Sequence, residues 1–213
     1  MIKHPAKYND SFLPIFADML KGRKRVLDPF AGTGKIFSLL EWLPEIKIEA
    51  IEIEKEWCSL DNRITLGNAL SLPYPDNYFD AVVTSPTFGN RMADTLLDDY
   101  KRITYTAALG RKLHKDNSGS LQWGIKYRDF HRKAWKEVKR VLQNNGSFIL
   151  NIKNHIRKGV EQKVTEWHIG TLCNMGFLVQ CQIGVPVPSM KFGENSDKRV
   201  NYESIIEFML KKE

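Results

Sequence analysis

Apolar and polar positions along this chain follow two periods, and the changeover between them marks the elements. Phe12, Leu13, Phe16, Met19 and Leu20 recur at helical spacing and predict an opening helix with Asp10 or Ser11 as its N-cap. Short apolar runs at Arg25 to Asp28, Ile46 to Glu52, Ile64 to Leu66 and Phe79 to Thr84 predict strands, with helical segments between the first three. Farther on, Phe130, Trp135, Val138 and Leu142 share one face of a helix from about Tyr127 to Leu142, ended by the turn-forming Asn144-Asn145-Gly146. Ser147 to Ile152 reads as a strand and Val164 to Met175 as a helix closed by Gly176. Phe177 to Val187 and Ser204 to Leu210 complete the chain as two strands able to pair antiparallel. Strand and helix in alternation predict an α/β fold, a mostly parallel sheet with helices on both faces.

At 213 residues the chain is long enough for one well-buried core, and a single domain over 1–213 is expected. No apolar run approaches the roughly 18 to 20 residues of a membrane span, and Met-Ile-Lys-His-Pro does not open a signal peptide. A cytoplasmic protein without a membrane partner is the expectation. Cys58, Cys173 and Cys181 form no C-x-x-C pair and read as small core residues, and the five histidines show no ligand spacing, so no metal site is expected.

Charge adds a regional feature. The stretch from Arg91 to Arg140 holds 13 Lys or Arg against 6 Asp or Glu, which accounts for the whole net charge of +7. Tyr100, Tyr105, Trp123, Tyr127, Phe130 and Trp135 are interleaved with those cations, a combination suited to a polyanion with exposed bases and equally to a solvated helical face over a core. Gly89 to Lys126 is the one long irregular region, and its length points to function.

The chemistry concentrates at strand ends, where ligands of open α/β sheets bind. Asp28-Pro-Phe-Ala-Gly-Thr-Gly34 follows the first strand, its glycines permitting a tight turn and its following helix offering free N–H groups to an anion. A triphosphate loop would need Gly at Pro29 and Ser or Thr at Ile36, and a dinucleotide fingerprint would need Gly at Phe37, so neither is matched. Ala50-Ile-Glu-Ile-Glu54 closes the second strand, placing Glu52 or Glu54 to accept both hydroxyls of a ribose; Glu52 is preferred and Glu54 reads as a solvated edge. Asn68, after Gly67, can bond the rim of an adenine or merely serve a turn. Val83-Thr-Ser-Pro-Thr-Phe-Gly-Asn90 ends another strand with a hydroxyl, a proline and an aromatic.

With these segments in view, nearly the whole chain resembles the class I S-adenosylmethionine-dependent methyltransferases, specifically the DNA amino-methyltransferases that modify cytosine N4 or adenine N6. Asp-Pro-Phe-Ala-Gly-Thr-Gly at 28–34 is similar to the family's first motif and Thr84-Ser-Pro-Thr-Phe88 to its catalytic [Asp/Asn/Ser]-Pro-Pro-[aromatic] motif, with Thr87 in place of the second proline. His4-Pro-Ala-Lys-Tyr8 is similar to the amino-terminal family segment over the methionine part of the cofactor. The resemblance implies a Rossmann-like seven-stranded sheet with a reversed last strand, and S-adenosyl-L-methionine as cofactor with S-adenosyl-L-homocysteine as product. It further implies a cofactor site built from Lys7, Asp28, Pro29, Phe30, Ala31, Gly32, Thr33, Gly34, Glu52, Asn68, Ala69 and Ser85. It makes Ser85, Pro86 and Phe88 the catalytic group.

That group has a chemical rationale. An exocyclic base amine is a weak nucleophile because its lone pair is delocalised into the ring. The Ser85 hydroxyl and the Pro86 carbonyl can each accept an amine N–H and favour the pyramidal form, while Phe88 stacks on a base rotated out of the duplex. The serine form of the motif is commoner in the cytosine N4 branch, which favours cytosine. DNA is the expected partner, with RNA possible. The insert at about 89–126 is the expected recognition segment, Asn90 and Arg91 lying near the flipped base and Arg111, Lys112 and Lys115 on phosphates. Met190 to Arg199 is a second candidate contact loop. Methylation of RNA or of a protein glutamine, and a nucleic-acid-binding relative that has lost activity through Thr87, are the competing readings.

Overall fold

The computed structural model describes residues 9–89, 104–187 and 198–212. Lys7 and the rest of 4–8, Asn90 and Arg91, the cations Lys101 and Arg102, and most of the 190–199 stretch lie outside the described residues.

The opening helix starts one step earlier than expected. Asn9 is the cap, its side chain accepting the Ser11 N–H at 3.1 Å, because the chain first makes a 3-10 turn over Asp10–Phe12 before helix α1 (Leu13–Met19). Pro14 sits in the first turn of α1, where its missing N–H leaves no helical bond unmade. Then come β1 (Arg25–Asp28), a 3-10 segment over Lys35–Glu41, β2 (Lys47–Glu52), the short α2 (Lys55–Cys58), β3 (Ile64–Leu66) and β4 (Phe79–Thr84). The insert contributes α3 (Tyr105–Leu109). It leads into α4 (Ile125–Val141), β5 (Leu142–Ile152), the hairpin strands β6 (His155–Arg157) and β7 (Val160–Gln162), α5 (Val164–Cys173), β8 (Phe177–Pro186) and β9 (Tyr202–Leu210).

The main sheet has seven strands in the order β3-β2-β1-β4-β5-β9-β8. Val26 stands opposite Ile48 on one side and Ala81 on the other, both pairings parallel. β9 is antiparallel to both neighbours, β5 and β8, so it runs against the rest of the sheet. This is the mostly parallel, Rossmann-like α/β sheet with a reversed last strand.

The Asn144-Asn145-Gly146 segment differs from expectation in its use. Helix α4 passes directly into β5 at Leu142, which pairs with Phe79; the next pair is Ala81 with Ser147, so 143–146 bulge out of the ladder. Asn145 adopts φ 61°, the left-handed region that Asn tolerates better than most residues, and the turn interrupts a strand without separating helix from strand.

Alternation along each strand sends neighbouring side chains to opposite faces. Leu27, Ile51, Val82, Phe148 and Phe208 meet the stripe Tyr127, Phe130, Ala134, Trp135, Val138 and Val141 of α4, together with Val164 and Leu172 of α5. Val26, Ala50, Ala81, Val83 and Ile149 meet Leu13, Phe16 and Ala17 of α1 and Ile36 and Leu39 beyond β1. Each large side chain in these layers contributes roughly 1.5–3 kcal/mol by leaving water. The cysteines do not join them as expected: Cys173 is exposed and Cys58 and Cys181 are half-buried, because each falls at an element edge or on a sheet margin. Among the described residues no helix is long and apolar enough to cross a membrane.

Candidate active site

The sheet reverses its order between β1 and β4: the chain winds outward from β1 to β2 and β3, then returns to lay β4 on the free side of β1. Loops leaving these two strands must diverge, and a crevice opens between them. Asp28 and Thr84 end the two strands, both fully buried, and the Thr84 hydroxyl donates to Asp28 Oδ1 at 2.7 Å. The same oxygen accepts the Phe30 N–H at 3.0 Å, so Asp28 fixes the start of the Gly-rich loop to the tip of the neighbouring strand.

Beyond them lies a cleft that is partly open to solvent. Pro29, Phe30, Gly32, Glu52, Asn68, Ala69, Ser85 and Pro86 line it, so the expected cofactor and catalytic segments converge. Asp28, Ala31, Thr33 and Gly34, also expected in the cofactor site, are not among the lining residues. Gly34 has φ 77°, a left-handed conformation that favours glycine, and a Cβ there would press on the Phe37 ring at 3.0 Å.

One N–H of the expected anion cradle, that of Gly32, is already used from within. The Gly32 N–H donates to Glu52 Oε2 at 2.9 Å, and the Ile53 and Glu54 N–H groups donate to Oε1 at 2.9 and 2.8 Å. Loop N–H groups therefore hold the protein's own carboxylate, because β1 and β2 are hydrogen-bonded neighbours whose tips end side by side. A carboxylate offers about four acceptor sites. Three are used, and one on Oε2 remains for a ligand hydroxyl, where acceptance of two had been expected. Burial raises the Glu52 carboxyl to about 7, against the lowering effect of its three backbone donors.

Glu54 is not a solvated edge. It is 1% exposed and ties down the insert: Oε1 accepts the His114 N–H and the Asn117 side-chain amide, each at 2.8 Å, and Oε2 accepts Arg111 Nη2 at 2.7 Å. Glu56 grips the same guanidinium, whose hydrogen bonds hold its carboxyl down at about 2. Arg111, although partly exposed, is thus ion-paired within the protein; Lys112 and Lys115 are exposed as well.

Sequence reasoning missed what this anchor delivers. Tyr105, Asp116, Asn117 and Ser118 of the insert, and Trp57 of α2, also line the cleft. Tyr105 and Trp57 stack edge to face at 5.3 Å, and Gly119 lies so close to the Tyr105 ring that a Cβ would approach it to 2.6 Å. The run Asp116-Asn-Ser-Gly119 was a visible sign of a shaped turn, but nothing local indicated which surface it would cover.

On the opposite wall, Ser85 is half-buried and its Oγ accepts the Asn151 side-chain N–H at 3.1 Å; Asn151 also donates to Glu203 at 2.8 Å. A buried Asn in the apolar run of β5 was the available signal for this support. Thr87, where the resembling motif has proline, donates its hydroxyl to Ser118 at 2.9 Å. Its carbonyl accepts the Tyr127 hydroxyl at 2.8 Å. Trp135 donates its indole N–H to His168 Nδ1 at 3.0 Å, and indole is a donor only, so His168 carries its proton on Nε2 and gives it to Tyr127, 3.0 Å away. Burial lowers the His168 pKa well below its usual value, in keeping with this neutral form. Phe88, expected to stack on the substrate base, lies half-buried against the core and is not among the residues lining the cleft. Gly89 follows with φ 70°, and its carbonyl accepts the Trp123 N–H at 2.9 Å. Arg128 covers Trp123 at 4.5 Å, and Arg132 covers Trp167 at 5.5 Å. Among the described residues no group of three or more His, Cys, Asp or Glu is placed to hold a metal ion.

The mostly parallel seven-stranded sheet with its reversed last strand is a fold shared by solved S-adenosylmethionine-dependent methyltransferases. No family model matches the chain, and no curated protein matches it by sequence. Solved structures do resemble it. A SAM-dependent methyltransferase from Methanosarcina mazei is 13% identical, with 94% of this chain and 98% of that one covered at a TM-score of 0.63. The glycopeptide N-methyltransferase MtfA, solved with S-adenosyl-L-methionine, is 14% identical, with 94% and 93% covered at 0.56. The [4+2]-cyclase SpnF, 14% identical, covers 99% and 86% at 0.57. The last neighbour carries a different reaction on the same scaffold, so the chemistry of this chain has to be argued from its site.

Proposed function

We propose that this protein transfers a methyl group from S-adenosyl-L-methionine to the exocyclic amine of a DNA base, cytosine N4 in preference to adenine N6. One observation carries the reading: Ser85 and Pro86 border the same cleft as Gly32, Glu52 and Asn68, so an amine held by the hydroxyl faces whatever the Gly-rich loop binds. The residues suit the cofactor. Glu52 keeps one acceptor site for a ribose hydroxyl, and Gly32 lets the backbone come close to the ligand. When bound, the cofactor would supply a methyl group made electrophilic by a sulfonium; the methyl–sulfur bond breaks as the methyl–nitrogen bond forms, S-adenosyl-L-homocysteine leaves, and the surplus amine proton passes to solvent water.

The chain's own part is positioning. Asn151 fills one lone pair of Ser85 and sets its direction; the other can accept an amine N–H. With the Pro86 carbonyl as second acceptor, the amine is held pyramidal, and in-line placement can supply several kcal/mol of the barrier reduction, of the roughly 7–11 available to well-oriented reactants. The Thr87 hydroxyl and carbonyl bonds offer this loop the stiffness that a second proline would give. Nucleic acid is favoured as substrate by the exposed Lys112 and Lys115 and by the cation-covered rings Trp123 and Trp167 beside Gly89.

Incubation with methyl-labelled cofactor and DNA, RNA or protein, followed by mass identification of digested nucleosides, tests this. N4-methylcytosine in DNA is expected, with Ser85→Ala losing product while still binding S-adenosyl-L-homocysteine. Label confined to RNA or protein would overturn the DNA assignment, and no label on any of them would overturn the activity.

A further inference from the structure

Asn68 and Asp116 come from segments far apart in sequence and meet across the cleft, where Asn68 Nδ2 donates to Asp116 Oδ2 at 3.0 Å. The orientation of the amide is set by its other end: Asn68 Oδ1 accepts the Leu70 N–H at 2.9 Å, so that atom must be oxygen and the nitrogen must face Asp116. Two functions remain uncommitted among the described residues. Asn68 has a second N–H, and Asp116 has Oδ1. The pair therefore presents a donor and an acceptor side by side, at the end of β3, over a wall containing Ile53 and Ala69. Asp116 is held there by its neighbours, since Glu54 fixes His114 and Asn117 on either side of it.

We propose that Asn68 and Asp116 together read the Watson–Crick edge of the cofactor's adenine, the Asp116 carboxylate accepting from the exocyclic amine and the Asn68 amide donating to ring N1. The assignment rests on the cofactor reading above and adds a specificity-determining residue from the insert. Adenine offers a donor at its amine and an acceptor at N1. Hypoxanthine reverses both, with a carbonyl oxygen at position 6 and a hydrogen on N1. Against this pair it meets acceptor with acceptor and donor with donor, so the site selects adenine by two mismatches. Glu54 acts as the positioning residue that keeps the carboxylate in register with Asn68.

Binding of S-adenosyl-L-homocysteine and its inosine counterpart, S-inosyl-L-homocysteine, by isothermal titration is the direct test. The wild-type protein is expected to prefer the adenine compound by roughly 10- to 100-fold, the range of a bidentate base-edge pair. Asp116→Asn should bind the adenine compound about tenfold more weakly and narrow or invert the preference, because its amide can donate to the hypoxanthine carbonyl. Asp116→Ala should lose the preference without inverting it, which separates recognition from any disturbance of the loop. Tight adenine binding with an unchanged ratio in both variants would overturn the assignment alone. Failure of the wild type to bind either compound would overturn the cofactor reading and this assignment with it.

Discussion

Glu52→Gln separates the structural role of the buried carboxyl from the ligand-binding role proposed for it, because the two depend on pH in opposite directions. Burial raises this group from an ordinary 4.5 to about 7. At about 1.4 kcal/mol per pKa unit, ionising it inside the fold costs about 3 kcal/mol. The folded protein holds the proton more tightly than the unfolded chain, so the stability contributed is full below pH 4.5 and is lost as pH rises through 7. Glutamine does not titrate and escapes that loss. It has one acceptor oxygen for the three N–H groups of Gly32, Ile53 and Glu54, and its NH₂ must confront at least one of them, at about 1–3 kcal/mol. The variant should therefore be less stable than wild type near pH 5 and draw level or pass it by pH 8, a relative swing of about 3 kcal/mol. Ligand binding should move the other way. Only the ionised carboxylate retains a free acceptor site, so wild-type affinity for S-adenosyl-L-homocysteine should fall roughly tenfold per pH unit below 7. In Glu52→Gln it should be about 10- to 100-fold weaker at pH 8 and flat with pH. Urea unfolding and isothermal titration across pH 5.5–8.5 measure both. A variant that binds within a few fold of wild type, or a wild type whose affinity is level over that range, would refute the role given to Glu52.

Three further outcomes follow from the supporting bonds. Glu54→Ala should cost about 2–3 kcal/mol, leaving Asn117 and the His114 N–H without their acceptor, and should speed proteolytic cleavage between 104 and 120; unchanged cleavage would argue against the anchor. Gly89→Ala should destabilise by about 1–3 kcal/mol, since φ is 70° and the new Cβ would lie 2.9 Å from the Trp123 nitrogen, and thermal unfolding reads this directly. Tyr127→Phe leaves the Thr87 carbonyl and the His168 Nε2–H unpaired; a loss of about 1–3 kcal/mol is expected, together with a lower turnover number at nearly constant cofactor affinity. Equal loss of both would mean that the bond supports the whole cleft and not the Ser85 loop.

Much of this was legible along the chain because it depends on local order. The apolar runs of β1, β3 and β4 have the bounds expected, and the helical stripe Phe130, Trp135 and Val138 faces the core, since alternation and the 3.6-residue period act within one element. Asp28-Pro-Phe-Ala-Gly-Thr-Gly and Thr-Ser-Pro-Thr-Phe likewise announced their strand exits, and the parallel sheet brought them to one crevice. The 143–146 bulge and the Asn9 cap were misread by a few residues, for which pairing with a neighbour, and not propensity, decided the boundary.

The amino-acid order by itself determined the α/β scaffold and the two strand tips that border the cleft, because hydrophobic period, glycine and proline act over a few residues. Tertiary structure alone decided which charges are free. Glu54 and Arg111 are 57 positions apart and Asn68 and Asp116 are 48 apart, and nothing near any of them in sequence states its partner. Their pairing exists only once the insert docks on the strand ends, where loss of water makes an unpaired carboxylate costly and so dictates which groups must meet.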